Sequence, residues 1–328
     1  MSDRPESAER ELSETRPIAG QKPGPAHPRD RKEDLPWQKC KAEDEEPRAA
    51  QLVKVLLDSP EYRQADEDID FLNRDETRGI RLQLDYFKAE KILEEQGVRH
   101  TIVVFGGTRL QEPAAAEREV ARLDAALKAA PEDEELARRL RTATRIRDKS
   151  GFYEVARAFG RLVGQAEGAS GNRLALVTGG GPGIMEAANR GAQEVGARTI
   201  GLNILLPHEQ FPNPYVTPGL CFRFHYFAVR KLHFLLRARA LVVFPGGYGT
   251  LDELFETLTL IQTRKIAPIP VILVGKDYWS RIFNPAVLVD EGTIDPEDLD
   301  LFWFAETADE IWDDIERWYE KSGKQLCD

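Results

Sequence analysis

The nonapeptide PGGYGTLDE (245–253) closes an apolar run and sets a glycine-rich turn directly before a pair of carboxylates. Glycine lets the backbone come close to a ligand. The helix that follows offers free N–H groups and the positive end of its dipole, a combination that suits a phosphate. Pro245, Gly246, Gly247, Gly249 and Thr250 are the candidate cradle. Two more apolar runs end in the same way. VVFGGTR (103–109) carries Gly106, Gly107 and Thr108, and LVTGGGPGIM (176–185) carries Gly180, Gly181, Gly183 and Met185. Any one of these glycines could do no more than make a turn, but three such turns on one sheet edge point to an anionic small molecule. GGGPGI has the wrong spacing for GxGxxG and no GxxxxGK[ST] occurs, which disfavours dinucleotide and P-loop ATP binding.

Charged residues also stand in unusual places. In FHYFAVRKLHFLLRARA (224–240), Phe227, Phe234, Leu235 and Ala238 share one helical face. Arg230 and Lys231 fall on or beside that stripe, where such residues are uncommon unless paired or facing a cleft. A structural ion pair or a snorkelling side chain is the plainer alternative. Arg237 and Arg239 read as solvated. After PGGYGT, the residues Leu251, Leu254, Phe255, Leu258 and Ile261 form a core stripe, with Asp252 and Glu253 pointing away from it in the first turn. Acids are favoured there without any function, and the same dipole is expected to keep Glu253 ionised. An ionised carboxylate beside a phosphate cradle could also stabilise positive charge, as develops on a sugar carbon when its base departs. Arg230 could then hold phosphate or ribose, or assist the leaving base. His208, His225 and His233 lack zinc-site spacing, so no metal is expected, and His225 and His233 read as packing or surface residues. Asn203 and Glu209 flank an irregular, proline-containing stretch that could cover a cleft.

These residues need a frame. Apolar runs near 101–107, 173–181, 199–206, 240–247 and 270–275 alternate with helical patterns near 151–166, 183–195, 226–238 and 250–263. Continuous rather than alternating strands, with helices between them, predict a Rossmann-like doubly wound parallel α/β sheet covered on both faces, plus an N-terminal helical extension. All three glycine turns then fall at the carboxyl edge of the sheet. Three segments are expected: a disordered, Pro-rich and charged tail over 1–48, a helical extension over 49–97, and a catalytic domain over 98–320 interrupted by a helical insertion at 112–150.

The 328 residues allow one large α/β domain with additions or two modest ones, and a net charge of −11 argues against a general nucleic-acid binder. Cys40, Cys221 and Cys327 lie far apart without a CxxC, which fits a reducing compartment. The N-terminal residues lack an apolar signal region and no stretch is apolar enough to span a membrane, so no membrane partner and a cytoplasmic location are expected.

PGGYGTLDE is similar to the PGGxGTxxE motif of the LOG (Lonely Guy) family, and VRK (229–231) resembles the Arg-Lys pair that precedes it there. GGGPGIMEAANRGA (179–192) and LPHEQFPNPYVT (206–217) resemble the longer bacterial branch of that family. The likeness runs over roughly 101–318 outside the insertion. It implies a Rossmann-like fold and hydrolysis of the N-glycosidic bond of a nucleoside 5′-monophosphate, AMP or a cytokinin-type N6-substituted AMP, to free base and ribose 5-phosphate. Carried over by position, Arg230 and Glu253 match the catalytic pair, and Gly246, Gly247, Gly249 and Thr250 match the phosphate-binding turn; Lys231, the second residue of the Arg-Lys pair, is expected among the nucleotide-binding residues. It also implies a homodimer or larger homo-oligomer; no cofactor is expected. The alternative is a non-catalytic carrier or sensor of a phosphorylated ligand, a nucleotide or the molybdenum cofactor. FGGTR in place of a serine-rich first turn, Pro182 in the middle turn, and the extra 97 N-terminal residues depart from the compact branch and leave base identity open.

Overall fold

The computed structural model describes residues 33–170, 174–207 and 211–326. Aliphatic and β-branched runs become strands buried on both faces: β1 (His100–Phe105), β2 (Leu174–Thr178) and β3 (Thr199–Ile204). β4 (Cys221–Phe224) follows, then β5 (Ala238–Val243), β6 (Val271–Val274) and β7 (Trp303–Ala305). All pair in parallel in the order β4-β3-β2-β1-β5-β6-β7. The chain winds outward from β1 to β4, returns to β5 on the other side of β1, and winds outward again. The reversal lies between β1 and β5, where connections leave in opposite directions and open a crevice at the carboxyl ends. β4 and β7 were not foreseen. β4 alternates exposed and buried residues within a short, proline-flanked edge, and β7 has only three residues.

The chain divides into two compact units after Leu72. Of the expected tail 1–48, residues 1–32 lie outside the described residues, and 33–48 hold a short 3-10 helix at Pro36–Gln38 among turns. The first unit continues with α1 (Ala49–Leu57) and α2 (Ile69–Leu72). Of the span 49–97 set apart in the sequence, residues 73–97 fall in the second unit. That unit contains α3 (Arg78–Glu95), then α4 (Pro113–Ala129) and α5 (Glu134–Arg147), which pack on each other as the helical insertion. The Asp133 side chain caps α5 by accepting from the Leu136 N–H at 2.9 Å. α6 (Gly151–Ser170), α7 (Ile184–Glu194), α8 (Phe227–Leu236), α9 (Tyr248–Gln262), α10 (Lys276–Ile282), α11 (Pro285–Asp290) and α12 (Ala308–Ser322) complete it.

Alternation along the strands sends side chains to two cores. Ile102, Val104, Val242 and Phe244 pack against Phe159 of α6, Ile184 of α7 and Ile311 of α12. Val103, Phe105, Leu241 and Val243 pack against Leu93 of α3, Phe234 of α8, Leu254 of α9 and Trp279 of α10. The sheet is therefore sandwiched, and α8 and α9 lie on the same face of it. No helix among the described residues is long and apolar enough to cross a membrane.

Candidate active site

β1 and β5 run side by side to Phe105 and Val243, and both leave the sheet through glycine turns. The turns are bonded directly: the Phe244 N–H donates to the Phe105 carbonyl and the Gly107 N–H to the Pro245 carbonyl, each at 2.8 Å. The second turn follows β2, the other neighbour of β1, and joins when the Ile184 N–H donates to the Gly107 carbonyl at 3.3 Å. Gly183, at φ +75°, has no room for a side chain, because a Cβ would strike the Gly107 carbonyl and Thr108. Gly180 at φ +70° faces Asn203 as closely. A Cβ on Gly246 would run into Thr250, whose side chain is buried at the start of α9. Gly247 and Gly249 differ: a Cβ on either would meet nothing within 4 Å. Packing within the chain therefore gives no reason for glycine at those two positions.

α8 and α9 bring the charged residues to this edge. The Arg230 Nη1 lies 3.9 Å from Glu253 Oε1, with the two side chains only 12% and 6% exposed. The Arg230 Nε donates to the Leu202 carbonyl at 2.6 Å, and its guanidinium sits 5.0 Å from the centre of the Phe234 ring. Gly179 makes room for it, since a Cβ there would stand 2.7 Å from Arg230 Nη2 and 2.9 Å from Met185 Sδ. Lys231 reaches three carboxylates: Glu256 at 2.7 Å, Asp252 at 3.0 Å and Glu253 at 3.8 Å. Burial lowers the Arg230 guanidinium against the opposing charges of Glu253 and Asp252. For Lys231 burial also acts downward, but hydrogen bonds to Glu256 and Asp252 outweigh it and leave the ammonium above its ordinary value.

Several expectations are corrected here. Glu253 does not point away from the packed side of α9; it is buried, while Asp252 beside it is 57% exposed. Nor does the helix dipole decide its charge. Burial pushes the Glu253 carboxyl up to about 7, against the pull of Lys231 and Arg230. On α8, Phe227 is exposed rather than part of an apolar stripe. Arg237 is not solvated: it is 13% exposed and forms a fork to Glu90 at 2.7 and 2.8 Å. Arg239 is half-buried, with its Nε 3.0 Å from His100 Nδ1. His233, by contrast, is a packing residue, as expected: it is fully buried, stacked on Tyr86 at 5.1 Å, and burial lowers its pKa. Glu209 and His208 lie outside the described residues, while Asn203 is buried on β3.

A family model described as "Possible lysine decarboxylase" matches residues 185–315. Cytokinin riboside 5′-monophosphate phosphoribohydrolase LOG3 of Arabidopsis thaliana is 31% identical over 160 residues, which are 46% of this chain and 73% of that protein. The chain belongs to the LOG family. LOG7 of the same plant, also a cytokinin riboside 5′-monophosphate phosphoribohydrolase, is 30% identical over 44% of this chain and 68% of its own length. Among solved structures, TM1055 is 22% identical with a TM-score of 0.41, covering 66% of this chain and 99% of that one. The molybdenum cofactor carrier protein of Chlamydomonas reinhardtii is 18% identical with a TM-score of 0.35, covering 69% and 99%.

In this LOG-family chain, sequence reasoning missed the parts that aim the site. The Asp85 carboxylate on α3 accepts from the N–H groups of His225, at 2.9 Å, and Tyr226, at 2.8 Å, just before α8 begins. The Arg81 Nε donates to the Tyr226 hydroxyl at 3.1 Å. Together with the Glu90–Arg237 fork, α3 thus grips both ends of the helix that carries Arg230 and Lys231. The Tyr278 hydroxyl donates to the Gly246 carbonyl at 2.6 Å and fixes the third turn from below. The Asn213 side chain donates to the Gly181 carbonyl at 3.0 Å, tying the irregular stretch to the second turn. None of these partners is near the site in sequence, and no local pattern marks them. An apolar groove of about 700 Å³ lies beyond Lys231, along Leu232, Leu236 and Trp318, and includes no glycine of the three turns.

Proposed function

We propose that this chain hydrolyses the N-glycosidic bond of a nucleoside 5′-monophosphate, AMP or an N6-substituted AMP, to free base and ribose 5-phosphate. The observation that carries the reading is the buried Glu253–Arg230 pair beside a glycine turn at the point where the strand order reverses. In this reading the phosphate sits on the 245–250 turn and the N-terminus of α9, where the open flanks of Gly247 and Gly249 leave space for it. Pro245, Gly246 and Thr250 shape that turn. Gly106, Gly107 and Thr108 of the first turn, with Gly180, Gly181, Gly183 and Met185 of the second, border the nucleoside. The bond between the ribose C1′ and the base nitrogen breaks, and C1′ becomes oxocarbenium-like. The Glu253 carboxylate faces that charge and takes a proton from the water whose oxygen adds to C1′, the departing base takes a proton from solvent, and Glu253 returns its proton to solvent, so that one water is consumed. Arg230 orients Glu253 and the sugar, and Lys231 keeps Asp252 and Glu256 neutralised beside them. Anchoring by the remote phosphate supplies binding energy for orientation at C1′.

The activity of the named relatives supports the reaction class. The proposal extends to a homodimer or larger homo-oligomer in the cytoplasm, with 98–320 and the helix α3 before it as the catalytic region, 49–72 and 112–150 as additions to it, and 1–48 as a tail. The test is chromatographic: purified protein incubated with AMP and a panel of other nucleoside monophosphates, followed for free base and ribose 5-phosphate. Release that Glu253→Ala abolishes, with the circular dichroism spectrum unchanged, is the expected result. A ligand retained on purification with no monophosphate turned over would support a carrier instead.

A further inference from the structure

The helical insertion has no part in the proposed hydrolysis, yet it meets the first glycine turn. Between α4, α5 and residues 108–111 lies an open cavity of about 420 Å³, within the usual range of roughly 300–1,000 Å³ for small-molecule sites. Its floor is apolar, with Leu123 and Ala143 buried and Ile146 half-buried. Its rim is cationic, with Arg109, Arg138 and Arg139. The acid on the rim, Glu119, is already held by Arg122 through two hydrogen bonds of 2.7 Å. Arg138 is held by Glu135, at 2.7 Å from its Nε. Arg109 and Arg139 form no ion pair or hydrogen bond among the described residues, and Arg139 acts on Glu119 and Glu135 only at longer range.

Two unpaired guanidinium groups over one apolar-floored cavity, on a chain of net charge −11, are a local reversal of charge. Guanidinium forks match phosphate oxygens, and two of them balance a dianion. We propose that this cavity is a second ligand site, taking a phosphomonoester on a flat apolar body about the size of a nucleoside monophosphate. The phosphate lies between Arg109 and Arg139, and the body covers Leu123, Ala143 and Ile146. Thr108, on the cavity wall, packs on Gly183 of the second turn, and Gly107 beside it is bonded to Pro245 of the third. An occupant therefore touches the strand-end lattice that holds the catalytic residues of the proposed reaction, without being the substrate.

The site shares Thr108 with the proposed active site but does not rest on the hydrolysis proposal, and one experiment separates the two. The full-length Glu253→Gln chain is titrated with AMP by calorimetry at low salt, alone and with Arg139→Glu added. Arg139 is exposed on α5, so folding is unaffected, and Arg109→Gln serves as the second variant. Two AMP per chain, one of them weakened at least about tenfold by either change, is the expected result. One AMP per chain, lost with Arg139→Glu, would uphold the cavity and count against the nucleotide site at the glycine turns. No binding, or a stoichiometry and affinity indifferent to both arginine changes, overturns the inference.

Discussion

Glu253 can be tested through stability as well as through activity. Its carboxyl titrates near 7 in the folded chain, against an ordinary value of 4.5, and burial is the main cause. Between those values the folded chain holds a proton that the unfolded chain has released. The resulting stabilisation is complete below 4.5 and is lost as the pH rises through about 7. At about 1.4 kcal/mol per tenfold change in proton affinity, the loss is roughly 3 kcal/mol. Glu253→Gln keeps the shape of the side chain and removes the titration. Urea unfolding of both chains at intervals from pH 4.5 to 8 therefore measures the effect by difference, with every other titrating group common to the two. The variant should gain on the parent by roughly 3 kcal/mol across that range, most of it before pH 7.5. In the same range the parent's kcat/KM for AMP should rise with an apparent pKa near 7, as Glu253 acquires the charge the reaction needs, while the variant shows no turnover. Stability profiles that run parallel from pH 4.5 to 8 would refute the reasoning, whatever the activity does.

Three further outcomes follow from the same contacts. Gly246→Ala drives a methyl group into the Thr250 side chain and should cost about 1–3 kcal/mol in denaturant unfolding, with AMP turnover lost as the turn distorts. Asp85→Ala leaves the His225 and Tyr226 N–H groups without their carboxylate, so unfolding should become easier by about 1–3 kcal/mol. Because α8 then loses its seat, kcat should fall more than KM rises; a normal kcat would show that Arg230 is placed by other means. Tyr278→Phe removes one hydrogen bond to the Gly246 carbonyl and should raise KM for AMP several-fold at a cost of about 1 kcal/mol in stability, both read from steady-state kinetics and urea titration.

The parts of this molecule legible in the sequence are those encoded locally. The unbroken apolar runs of β1, β2, β3, β5 and β6 fixed the sheet class, and their glycine endings placed three turns on one edge. β4 escaped because only alternate residues of its four are buried, unlike the unbroken apolar four of β6, and β7 because three residues carry too little pattern to separate it from a loop. The charge on Glu253 was misread because a helix dipole is visible in sequence whereas burial is not; that the carboxyl is buried beside Arg230 and Lys231 of the neighbouring helix is known only from packing. Arg237 was misread for the same reason. Its partner Glu90 lies 147 residues away, and nothing in either segment announces the other.

The grip of α3 on α8 bears on where the functional part of the chain begins. A shortened protein starting at residue 98 keeps every glycine turn and both Arg230 and Glu253, yet discards Asp85, Glu90 and the Leu93 side chain that closes one face of the sheet. Arg237 would be left as a buried cation with no carboxylate, and the core on that side of the sheet would lose Ala89 and Leu93. The smallest portable module of this chain thus starts upstream of Arg78, and a helix outside the proposed active site travels with Arg230 and Glu253 as part of their chassis.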